Sequence, residues 1–86
     1  MEIKPGILVR SKAGRDKDHV YAVVDLDEKY VYVADGVEKT LRHMKRKNSR
    51  HLQPILKISL RGAPDDAVIR DAIKKYENAC GQKSRQ

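Results

Sequence analysis

Tyr30-Val31-Tyr32-Val33-Ala34-Asp35-Gly36 is the stretch on which the fold turns. Its first five residues are aromatic, β-branched or small without a break, a composition that packs on a pleated surface rather than around a helix. A strand over 30–34 is expected. Asp35-Gly36 then supplies a pair suited to a two-residue type I′ turn, whose central positions need positive φ. Val37 to Leu41 is expected to return antiparallel as the next strand.

Upstream, His19 to Asp25 reads as a strand, and so does Ile7 to Arg10. Between them lies the polar connection Ser11-Lys12-Ala13-Gly14-Arg15-Asp16-Lys17-Asp18, where Gly14 can take the positive φ that other residues resist. Downstream, His43 to Arg50 looks too polar for a core strand. His51-Leu52-Gln53-Pro54-Ile55 restores apolar character, with Pro54 suited to an edge, and Leu56 to Leu60 extends it. Short strands with tight turns favour closure, which removes exposed sheet edges. The expectation is a mainly β domain over 1–61, a small SH3-like five-stranded barrel.

The pattern changes at Gly62-Ala63-Pro64-Asp65-Asp66, where Pro suits a first helical turn and carboxylates favour its positive end. Ile69, Ala72, Ile73 and Tyr76 then recur at i, i+3, i+4 and i+7, so a C-terminal α-helix over 62–80 is expected to pack on the barrel. A polar tail over 81–86 is expected to be mobile.

An 86-residue chain has room for one domain and no large internal pocket. It lacks Trp and Phe and has four Tyr, so Val, Ile, Leu and Ala must build the core. A single Cys80 closes no internal disulfide, and the apolar runs, such as Val20 to Val24, are too short to cross a bilayer. The N-terminus does not read as a secretory signal. A reducing, cytoplasmic setting with no membrane partner is the expectation.

Nineteen Lys and Arg against twelve Asp and Glu give a formal net charge of +7, which points to a polyanionic partner. Between Glu38 and Asp65 no acid occurs, while Lys39, Arg42, Lys45, Arg46, Lys47, Arg50, Lys57 and Arg61 do. Arg matches phosphate oxygens bidentately and Lys supplies mobile point charges; Asn48, Ser49 and His51 add hydrogen bonding. A second cluster, Arg10, Lys12, Arg15 and Lys17, surrounds Gly14, and the two segments can meet at one rim of a small barrel. Against this stands the plainer reading, a solvated loop whose charges only keep the chain soluble. Tyr21, Tyr30 and Tyr32 either stack unpaired bases or, in a domain poor in aromatics, fill the core.

Enzymatic chemistry finds little footing. His19, His43, His51 and Cys80 are scattered without metal-ligand spacing, and no phosphate-cradling Gly-rich motif, nucleophile elbow or paired catalytic carboxylate occurs. No enzyme, no metal and no cofactor is the expectation.

The stretch Gly6-Ile7-Leu8-Val9-Arg10-Ser11-Lys12-Ala13-Gly14-Arg15-Asp16-Lys17, followed by Tyr21-Ala22-Val23-Val24-Asp25, resembles the KOW motif, its central glycine falling at Gly14. Lys45-Arg46-Lys47-Asn48-Ser49-Arg50-His51-Leu52-Gln53-Pro54 is similar to the Asn-x-x-His-Leu-x-Pro ending of the fourteen-e family of large-subunit ribosomal proteins. One departure is Asp18, where that family often carries Gly; Asp tolerates the left-handed geometry. The resemblance implies an SH3-like barrel that holds structured ribosomal RNA in translation, with Arg10, Lys12, Arg15, Lys17, Arg42, Lys45, Arg46, Lys47, Asn48, Arg50 and His51 at the RNA and Gly14, Asp35 and Gly36 shaping turns. KOW barrels also serve as protein-docking modules in transcription or translation complexes, so ribosomal or transcription proteins are the alternative partners.

Overall fold

The computed structural model describes residues 3–60, 62 and 64–80. Five antiparallel strands, β1 (Ile7–Ser11), β2 (Val20–Leu26), β3 (Tyr30–Ala34), β4 (Lys45–Asn48) and β5 (Leu52–Ser59), form one sheet in the order β4-β3-β2-β1-β5. A 3-10 turn, Ser49–His51, joins β4 to β5, and α1 (Asp66–Cys80) follows. No described helix is long and apolar enough to cross a membrane.

Period-two alternation explains how so short a chain is held. On one face, Ile7, Val9, Tyr21, Val23, Val31, Val33 and Leu52 form an inner cluster. On the other, Leu8, Val20, Ala22, Ala34 and Ile55 pack under Ile69 and Tyr76 of α1. The central strands therefore bury both faces, which is why Ile7-Leu8-Val9 is a continuous apolar run rather than an alternating one. The register slips between Ile7 and Leu8 on the β5 side and between Val23 and Asp25 on the β3 side, irregularities that bend strands and curl the sheet around the inner cluster.

Closure is where expectation and structure part. Ladders join β1 to β2, β1 to β5, β2 to β3 and β3 to β4; among the described residues none joins β4 to β5. The sheet is thus not a closed barrel. Pro54 sits on edge strand β5, where its missing N–H breaks no ladder on the open side.

The strand expected over Val37 to Leu41 is absent, and its place is taken by the basic segment judged too polar. The cause is Asp35. Its Oδ1 accepts from the amides of Val37 at 2.9 Å and Lys39 at 3.0 Å, while its own amide donates to the Lys39 carbonyl at 2.8 Å. These bonds fold 35–39 back on itself and use the donors a strand would need. Instead of a two-residue hairpin, Asp35-Gly36 opens a longer connection, and Val37 is 64% exposed.

The helix starts at Asp66 rather than at residue 62, because Asp65 caps it: Oδ1 accepts from the Val68 amide at 2.9 Å. Gly36, at φ 79°, lies against the Asp66 carbonyl where any Cβ would collide, and Arg70 Nη1 donates to the Gly36 carbonyl at 2.7 Å. The Leu41 amide donates to Asp66 Oδ1 at 2.9 Å. The 35–44 connection is thereby fastened to the helix start. The tail over 81–86 lies outside the described residues.

Candidate nucleic-acid interface

Local geometry first shapes the connection between β1 and β2. Gly14 takes φ 90° and Asp18 φ 73°, the left-handed conformation its residue type tolerates. The Asp18 amide donates to the Ser11 carbonyl at 2.8 Å and the Lys17 amide to the Gly14 carbonyl at 3.2 Å, so the 12–19 loop is hydrogen-bonded within itself and to the end of β1.

Three connections meet beside it. Asp16 Oδ1 lies 2.9 Å from Lys47 Nζ and Oδ2 lies 3.2 Å from Lys45 Nζ, tying the loop to β4. The Lys12 amide donates to the His51 carbonyl at 2.8 Å, tying it to the 3-10 turn. His19 Nε2 lies 2.8 Å from Asp35 Oδ2, tying it to the 35–44 connection. The loop and the 45–51 segment are therefore neighbours in the fold.

Asp16 is the centre of this junction. Besides both lysines, it accepts from Tyr21 Oη at 2.6 Å and Ser11 Oγ at 2.9 Å. Burial opposes its ionisation, but the hydrogen bonds from Tyr21, Lys47, Ser11 and Lys45 outweigh burial and hold its carboxyl well below the usual carboxylate range. Tyr21 is pushed the other way: burial, and then its bond to the Asp16 carboxylate, raise its hydroxyl far above the ordinary tyrosine value. Asp35 is likewise disfavoured by burial yet lowered on balance, by the amides of Lys39 and Val37 and by His19. The His19 ring also stacks, tilted, on Tyr21 at 4.5 Å between centroids.

This junction redistributes the expected binding residues. Lys47, only 9% exposed, and Lys45, 35% exposed, turn inward to Asp16 rather than outward to a ligand. Arg10 leans under α1, where its Nη2 donates to the Tyr76 hydroxyl at 2.9 Å. Asn48 caps the 3-10 turn, its Oδ1 accepting from the Arg50 amide at 2.9 Å. Arg46, on the opposite side of β4 from its two lysine neighbours, lies 4.5 Å over the Tyr30 ring. Lys12, Arg15, Lys17, Arg42, Arg50 and His51 remain exposed, and no ion pair among the described residues involves them.

Asp16 is a functional residue that charge counting along the sequence does not single out. The available signal is an acid flanked by Arg15 and Lys17 and five residues after Ser11. Of the three strand tyrosines, Tyr21 belongs to the core at 2% exposure, while Tyr30 and Tyr32 are half-buried on the other sheet face. Among the described residues, no three His, Cys, Asp or Glu side chains cluster as a metal site would need. No protein-family model matches the chain, and no curated protein matches it.

Proposed function

We propose that the chain is a cytoplasmic RNA-binding module that holds structured, ribosomal RNA through the surface where the 12–19 loop meets the 3-10 turn. One observation supports this reading: the Lys12 amide donates to the His51 carbonyl, so the loop that carries exposed Lys12, Arg15 and Lys17 is joined at Lys12 to the turn that carries exposed Arg50. Asp16, the acid between them, is already neutralised by Lys45 and Lys47, so its charge does not oppose an incoming phosphate. A net surplus of cations on ordered backbone is what phosphate positioning needs, since it requires charge without deep pockets. The strand order, with a 3-10 turn before the last strand, supports an SH3-like, KOW-type module in which, among the described residues, edge strands β4 and β5 are not laddered to each other.

The test is the salt dependence of binding to a ribosomal RNA hairpin. Neutralising about four phosphates gives a log-log slope of roughly 3 to 4. A flat salt response, or recovery of a protein partner but no RNA after nuclease treatment, would remove the proposal in favour of protein docking.

A further inference from the structure

Strand β4 presents different chemistry on its two sides. Lys45 and Lys47 stand opposite Val33 and Val31 and reach inward, whereas Arg46 and Asn48 stand opposite Tyr32 and Tyr30 on the outer side. That outer side continues the face which α1 covers over Leu8, Val20, Ala22 and Ala34, but Tyr30 and Tyr32 belong to neither buried cluster. The open end of the face therefore carries two half-buried aromatic rings, an exposed guanidinium already stacked on one of them, and a side-chain amide.

From this juxtaposition we infer a second contact surface, a stacking platform of Tyr30, Tyr32 and Arg46 that takes unpaired bases of single-stranded RNA, with Asn48 at its edge. The inference rests on the RNA-binding reading above and adds a substrate class to it, unpaired nucleotides flanking the structured element. Planar rings and a guanidinium plane accept any base, because every base has a π-face. The neighbouring charges set the polarity. Asp25 pairs with Tyr32 on the β2 side, and Asp27 Oδ2 accepts from the Tyr32 hydroxyl at 3.4 Å, so phosphates are repelled there. On the β4 side stand Arg46 and, just past the strand, Arg50. The sugar-phosphate chain accordingly runs along β4 with its bases turned inward over Tyr32. Arg46 covers one face of the Tyr30 ring, so a base meets the guanidinium plane there, whereas a cationic guest meets like charge.

Anisotropy titrations with a short oligouridine and with a blunt RNA duplex separate this surface from the cationic rim. Tyr32→Ser is expected to weaken oligouridine binding about tenfold, within the range for one lost stack, while leaving duplex affinity unchanged. Tyr32→Phe, which keeps the ring and loses the bond to Asp27, retains binding. Arg46→Gln, at an exposed position that leaves the core untouched, shows the same selective loss and guards against a folding defect in the serine variant. Unchanged oligouridine affinity in both Tyr32→Ser and Arg46→Gln overturns the platform and leaves the rim standing if the duplex still binds. An equal loss on both RNAs in Arg46→Gln reduces Arg46 to a phosphate contact and overturns it too. Tighter binding of an oligolysine peptide than of oligouridine would assign the face to cations. Wild-type protein that binds neither RNA sinks both readings.

Discussion

Lys47 Nζ lies 2.9 Å from Asp16 Oδ1, a contact between residues 31 apart in the chain that turns a cation from the most basic segment into a structural element. The same ammonium donates to Ser11 Oγ at 3.1 Å, and with 9% of its side chain exposed it has little water to fall back on.

Lys47→Ala is expected to lower stability by about 1 to 3 kcal/mol, because it strands Asp16 with fewer donors in a confined place. Lys45→Ala, at a more exposed pair, costs less than about 1 kcal/mol. Urea midpoints of the two variants, compared with a Lys47–Asp16 double-mutant cycle, check the ranking; equal losses would contradict it.

Acid sensitivity follows from Asp16. Its folded pKa is depressed, so its contribution to stability is present above the ordinary unfolded value near about 3.9 and is lost as pH falls below that toward the folded value. Chemical unfolding of the wild type between neutral pH and pH near 3 should show this loss. Asp16→Asn, less stable at neutral pH, should show a shallower decline over the same window.

Tyr21 gives the alkaline counterpart. Its pKa is raised on folding, so the hydroxyl stays protonated as pH passes the ordinary value of about 10, and stability falls above that point because only the unfolded chain ionises there. Ultraviolet titration should show Tyr21 ionising only together with unfolding. Tyr21→Phe should abolish that late phase.

Among the described glycines, Gly36→Ala should be the most damaging substitution. Its φ of 79° disfavours a side chain, and the new Cβ would meet the Asp66 carbonyl and Arg70 at the helix start. A loss of roughly 2 kcal/mol or more is expected, read as a lowered thermal midpoint. Gly62→Ala, with φ 65° but open space around it, should cost less.

On the binding side, the double variant Lys12→Ala, Arg50→Ala should weaken RNA hairpin binding across unrelated sequences and reduce the salt slope by about 2, leaving the thermal midpoint in place. Lys45→Ala should change affinity much less, since its ammonium already faces Asp16. The opposite order of effects would move the site onto β4.

Composition along the chain was enough to place β1, β2, β3, β5 and α1 within a few residues, because apolar alternation and the Ile69-Ala72-Ile73-Tyr76 stripe are local properties. Gly14 was legible for the same reason, backbone preference belonging to the residue itself, whereas the left-handed Asp18 was signalled only by the family resemblance. The fourth strand was not. Val37 to Leu41 has the better strand composition, but Asp35 captures its amides and Asp66 takes the Leu41 amide from 25 residues away. Lys45 to Asn48 becomes a strand because Asp16 and Tyr30 receive its side chains.

What the sequence by itself determined is therefore a mainly β chain with a terminal helix and a surplus of positive charge in two segments. Tertiary structure alone decided which cations remain available, since whether a lysine meets water or a carboxylate depends on partners distant in the chain. Charge is additive along a sequence, but its accessibility is a property of the packed surface.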